Sequence, residues 1–123
     1  MNIALWAVQI IIGLLFFMAG ATKVSRPIPA LARSMTWVNS FSPPFVRFIG
    51  AAELLGGLGL IIPAATGILS WLTPLAAAGL TIIMLGAVVY HLRHREINIA
   101  PVTLLLSALA LFVLVGRWVI LPL

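Results

Sequence analysis

No cysteine occurs in this chain of 123 residues, and only two of its residues are acidic. The first absence rules out disulfides, thiolate metal sites and dithiol redox relays, and with them the chemistry of the four-helix membrane thiol oxidoreductases. The second leaves little from which to build a carboxylate metal site. Charge of either sign is scarce, since 7% of residues are charged against 63% hydrophobic, and mean hydropathy is +1.26. A water-soluble domain carries about 25% charged residues, so this composition is that of a membrane protein. Phosphate-binding loops, nucleophile elbows and dinucleotide fingerprints are also missing.

What is present is apolar sequence in four blocks, close to Ile3–Thr22, Phe45–Ile62, Pro74–His91 and Ile99–Leu121. Each is long enough to cross a hydrocarbon layer, which takes about 20 residues of helix. The expected fold is all-α, an integral membrane four-helix bundle forming a single domain over residues 1–123. Ala19-Gly20-Ala21 imitates a signal-peptidase site, but no Lys or Arg precedes the apolar run, so the first block is expected to stay as a span.

The net charge of +5 reads as topology information and not as a nucleic-acid surface. Lys23, Arg26, Arg33 and Arg47 flank or fill the first connection, Arg93 and Arg95 the third, and the second, Pro63–Thr73, has no charge. The positive-inside bias puts connections 1–2 and 3–4 in the cytoplasm and both termini outside. Arg117, near the outer end of the last span, is expected to snorkel to the headgroups. Tryptophans 6, 37, 71 and 118 fall near the expected interfaces, as an aromatic belt would. Between Pro29 and Pro43, Leu31, Met35 and Val38 recur at helical spacing while Arg33, Ser34 and Ser40 face elsewhere. That pattern predicts an amphipathic interfacial helix between spans 1 and 2, an anchor or a lid over the bundle.

One ionisable residue stands inside a block. Glu53 lies on the order of 12 Å into the second span from Phe45, at 1.5 Å per residue, where an unpaired carboxylate costs several kcal/mol. Gly50, Glu53, Leu54 and Gly57 stand at i, i+3, i+4 and i+7, so the acid shares a face with the smallest side chains of its helix. That face is expected to point into the bundle. Lys23 ends the first span and His91 the third, both at the same boundary, so a Lys23–Glu53–His91 polar cluster is the expected ligand-binding site, with hydrogen bonds from Tyr90 and Asn98. Gly13, Gly20, Gly50, Gly56, Gly57, Gly79 and Gly86 are expected to pack helices together, and Gly59 to carry no chemistry. "GLLFFMAGA" (Gly13–Ala21) and "GLTIIMLGA" (Gly79–Ala87) match at five of nine positions, an echo that would suit a duplicated helical hairpin. His94 reads as part of a solvated cytoplasmic cap. Two acids and two histidines suggest no metal site, because His94 and Glu96 are only two residues apart and no third ligand is indicated.

"GLLFFMAGATK", "RFIGAAELLGGLGLIIPAATGILSWLTPLAAAGL" and "MLGAVVYHLRHRE" resemble, in order and over nearly the whole chain, the DoxX-like family of small bacterial membrane proteins. The family pattern maps onto Gly20 and Lys23, Glu53 with Gly56 and Gly57, and His91. The resemblance implies a four-span bundle in the bacterial inner membrane. Some relatives are membrane subunits of a thiosulfate:quinone oxidoreductase, others are associated with oxidative-stress assemblies, and a distant eukaryotic branch looks like a receptor-assembly chaperone. No flavin, haem or iron–sulfur motif is recognisable, so no cofactor is built in, and a redox role would need a partner subunit or a bound quinone. Two readings follow. In the first, the chain is a membrane module that binds a lipid or quinone around Glu53. In the second, it is a non-enzymatic accessory or scaffold subunit of a membrane redox or stress-response complex, or a homo-oligomer, with Glu53 locking helix register. An autonomous enzyme is not the reading the residues favour.

Overall fold

In a computed structural model of the protein, residues 1–96 and 100–122 are described. The elements are α1 (Asn2–Ser25), α2 (Ile28–Ser34), a 3₁₀ turn (Thr36–Ser40), α3 (Pro43–Thr66), α4 (Leu72–Arg93), α5 (Ala100–Val115) and a π-helical turn (Gly116–Ile120). The helices α1, α3, α4 and the run Pro101–Ile120 are each long and apolar enough to cross a membrane. The first three extend a few residues past the expected spans because local signals set their ends, while the fourth lies within the expected Ile99–Leu121. Ser42 accepts a hydrogen bond from the Phe45 amide at the start of α3, and Gly67, at φ +71°, closes its end in the left-handed conformation.

The four spans form a ring: α1 packs on α3, α3 on α4, α4 on α5 and α5 back on α1, with the α1/α3 and α4/α5 contacts the most extensive. Ile12 and Phe16 of α1, Leu60 of α3, Leu80 and Met84 of α4, and Ala110 and Val113 of α5 meet at the centre. Large apolar side chains such as Ile3, Ile82 and Val119 point outward, the reverse of a soluble bundle and the distribution a lipid solvent permits. With apolar surroundings on both sides, close contact and polar pairing hold such helices together.

Close contact is concentrated between α1 and α3. A Cβ at Gly57 would lie 2.5 Å from the Gly13 carbonyl oxygen, and one at Gly20 would collide with the backbone of Gly50 and Leu54. Gly56 receives the Leu80 side chain and Gly59 faces the Cβ of Ala76, so both admit α4. Gly79 and Gly86 do not share this role, since an added Cβ at either would meet nothing within 4 Å. The sequence echo between α1 and α4 therefore does not extend to packing: Gly13 and Gly20 are closed by α3, while their counterparts Gly79 and Gly86 face open space.

Pro63 inside α3 cannot donate to the Gly59 carbonyl. The Thr73 hydroxyl of α4 does so instead, at 2.9 Å, which satisfies the freed acceptor and ties the α3/α4 end together.

The first connection is helical in two pieces, not as one continuous helix. Met35 is extended, at φ −129° and ψ 93°, and separates α2 from the 3₁₀ turn. The apolar set read from the spacing is nonetheless the inward one: Leu31 and Val38 are buried with Val46 of α3, and Met35 packs beside them.

Candidate functional site

Lys23 lies in the last turn of α1 and Glu53 one helical turn deeper on α3 than Gly50. The missing side chain at Gly50 lets the lysine stem pass, because a Cβ there would stand 2.6 Å from the Cβ of Lys23. The ammonium thus reaches inward, and Nζ donates to Oε1 of Glu53 in a buried ion pair. Glu53 is 2% exposed and Lys23 9%. Arg47, one turn before Gly50, holds the top of this arrangement: its Nη1 donates to the carbonyl oxygens of Lys23 and Arg26, each at 2.6 Å. A guanidinium at the carbonyl end of α1 also complements the helix dipole.

The ion pair opens on a cavity of about 490 Å³ between α1, α3, α4 and α5. Its walls are mostly apolar, from Leu15 and Phe16 on one side to Ile83 and Leu106 on the other, and its polar residues include Lys23, Glu53, Tyr90, His91 and Thr103. Trp37, Phe41 and Phe45 line it from the first connection and the start of α3. Lys23 Nζ lies 5.6 Å from the Trp37 ring centre, Phe41 stacks on Phe45 at 4.8 Å, and Phe41 tilts against Tyr90 at 5.7 Å. The Tyr90 hydroxyl is 2.6 Å from the Ser40 hydroxyl. The 3₁₀ turn is thus fastened to α4 beside the cavity.

His91 is held from the other side. After α4 ends the chain reverses, with Arg95 at φ +57° and the Glu96 amide donating to the His91 carbonyl oxygen at 2.7 Å. That turn brings the Glu96 carboxylate to 2.7 Å from His91 Nδ1. His91 is buried while its ring remains part of the cavity wall. His94 lies outside, exposed and stacked on Tyr90 at 4.0 Å.

Four of the five residues expected to form a ligand site, Lys23, Glu53, Tyr90 and His91, therefore surround one cavity. Asn98 falls outside the described residues. Among the described residues, no group of three or more His, Asp or Glu is arranged to hold a metal ion. The arrangement offers an ammonium, a carboxylate and an imidazole in the wall of an apolar chamber, with the Glu96 carboxylate behind the imidazole. That chemistry suits hydrogen bonding to the polar end of an apolar molecule, and it includes no cysteine or activated hydroxyl nucleophile.

Arg117 corrects one expectation. It does not snorkel: it is 3% exposed, and its Nε donates to Oε1 of Gln9 at 2.6 Å. Gln9 in turn donates from Nε2 to the Leu60 carbonyl oxygen at 2.7 Å, and Trp6 lies 5.6 Å beneath the guanidinium. Gly116 explains the inward aim. Leu5 packs where a Cβ of Gly116 would be, so the π-helical turn presses against α1 and directs Arg117 at Gln9. Gln9 was missed in the sequence, although an amide inside the run "LWAVQIIIG" is itself a signal of an interior partner.

No curated protein and no solved structure matches the chain. Its four spans make it a multi-pass membrane protein. The profile of the DoxX-like family matches residues 7–113, a stretch that runs from the first span into the last and contains Lys23, Glu53 and His91, and the chain belongs to that family.

Proposed function

We propose that this protein is a binding module of the bacterial inner membrane, which takes a lipid or quinone into the bundle with its polar end at Lys23, Glu53 and His91. The observation that carries the reading is a chamber of about 490 Å³, within the roughly 300–1,000 Å³ of small-molecule sites, with convergent polar groups at one end of apolar walls. A register lock alone would need the ion pair but no chamber beside it.

The orientation follows from charge. Six of the seven cations, all but Arg117, belong to the ends joined by Arg47 and Tyr90, and the positive-inside bias makes that end cytoplasmic. The polar end of the chamber then lies toward the inner leaflet, with Trp37, Phe41 and Phe45 in its wall.

The test is native mass spectrometry of gently extracted protein. The wild type is expected to carry a lipid or quinone in defined stoichiometry. Glu53→Gln should lower occupancy while the protein still inserts, and Gly86→Phe, placed where open space adjoins the chamber wall, should abolish it. Wild-type protein that carries no such molecule, or equal occupancy in all three, contradicts the proposal.

A further inference from the structure

The hydrogen-bonding state of the site restricts what the chamber can hold. Lys23 is already matched by Glu53, so its charge is not available to an incoming anion. Of the Glu53 oxygens only Oε1 is engaged among the described residues, and of the His91 ring nitrogens only Nδ1. The Tyr90 hydroxyl shares one hydrogen bond with Ser40. What the Lys23–Glu53–His91 cluster itself still offers is a carboxylate oxygen that can only accept, an imidazole nitrogen, and the remaining N–H groups of Lys23. Of the charged residues in the chamber wall, the Lys23 ammonium and the Glu53 carboxylate offset each other.

From these valences we infer that the chamber selects an uncharged, hydroxyl-bearing head on an apolar body and rejects phosphate-headed lipids. This rests on the binding reading above and names the ligand class within it. A hydroxyl donates to Glu53 Oε2 and accepts from Lys23 or His91, so each open valence is used without adding charge. A phosphodiester has no proton to give the carboxylate, a phosphomonoester keeps a negative charge even when it gives one, and either would add net charge to a balanced pair in a low-dielectric chamber. A quaternary ammonium has no N–H to donate, and it would compete with Lys23 for both Glu53 and the face of Trp37. Between the two redox forms of a quinone, the hydroxyl-bearing one is retained, because the oxidised form offers Glu53 no donor.

The absence of cysteine makes a direct experiment available. Ala87→Cys places one thiol in the chamber wall, and ligand occupancy is read as slower alkylation of that thiol by N-ethylmaleimide in protein reconstituted into nanodiscs. The probes share a ten-carbon tail: 1-decanol, decyl phosphate and decyltrimethylammonium, compared at equal mole fraction in the bilayer. Decanol should protect at a mole fraction about tenfold or more below either charged probe, as juxtaposed like charges in a buried site imply. In the same reporter carrying Glu53→Gln, the order of the first two should invert, since Lys23 loses its partner and becomes free to bind phosphate. Protection by decyl phosphate equal to that by decanol in the Glu53 protein overturns the selectivity while leaving the chamber a binding site. Protection by none of the three overturns the binding reading and the selectivity with it.

Discussion

Removing Lys23 and Glu53 one at a time should damage the protein far more than removing both. Each charge is desolvated by a bundle that supplies the other as its partner. Two unit charges in hydrogen-bond contact, about 3 Å apart, attract by about 5 kcal/mol at an effective dielectric constant near 20. Glu53→Leu leaves an ammonium among apolar walls, and Lys23→Met leaves a carboxylate there. Each single change should cost about 3–5 kcal/mol, the usual penalty of stranding one member of a buried pair. The double variant replaces both with apolar groups of similar length and should fall within about 2 kcal/mol of the wild type, as such replacements do elsewhere. Unfolding by sodium dodecyl sulfate in mixed micelles, followed by far-UV circular dichroism, gives the four free energies of the cycle. A coupling energy of about 3 kcal/mol or more is expected. Strictly additive costs, with the double variant as unstable as the two singles summed, would refute the claim that burial and pairing are linked here.

The glycines should separate by partner and not by sequence context. Gly20→Val forces α1 from the backbone of α3 and should cost about 1–3 kcal/mol or more, whereas Gly79→Ala, facing open space, should be neutral or stabilise by about 0.5–1 kcal/mol; the same detergent titration measures both. Gln9→Leu leaves the Arg117 guanidinium without its Nε acceptor and should destabilise by about 3 kcal/mol, while Gln9→Leu with Arg117→Leu should recover most of that loss. For orientation, single cysteines introduced at Asn39 and Ile68, both exposed and at opposite ends of the bundle, should divide cleanly: a membrane-impermeant maleimide added to intact spheroplasts labels Ile68→Cys and spares Asn39→Cys. The opposite pattern would overturn the proposed topology.

Much of this molecule was legible in one dimension because the bilayer allows few solutions. Four apolar runs could only be helices, and an acid on a glycine face could only turn inward toward whatever polar group ended a neighbouring span. Lys23 was that group, and the spacing of Gly50 and Glu53 carried the information. Leu31 and Val38 were legible for the same reason, as periodicity that needs a buried face. The break at Met35 was not, since nothing in "RSMTW" interrupts a helix. Gly79 and Gly86 misled because a glycine looks the same whether a backbone lies against it or space does. The Gln9–Arg117 bond spans 108 residues, and only the folded ring brings its ends together. His91 and Glu96 escaped the helical-face argument because the helix ends between them, and a reversal at Arg95 supplies the contact.

The proposed function requires a ligand's polar end to meet the Lys23–Glu53 pair inside the membrane. A high-resolution electron cryomicroscopy map of the protein in lipid nanodiscs tests this directly. The expected result is an elongated density filling the chamber beneath Trp37 and Phe41, ending within about 3 Å of the free Glu53 oxygen or the His91 ring. A map in which Glu53 faces acyl chains or bulk water, or in which protein side chains close the chamber, would contradict it.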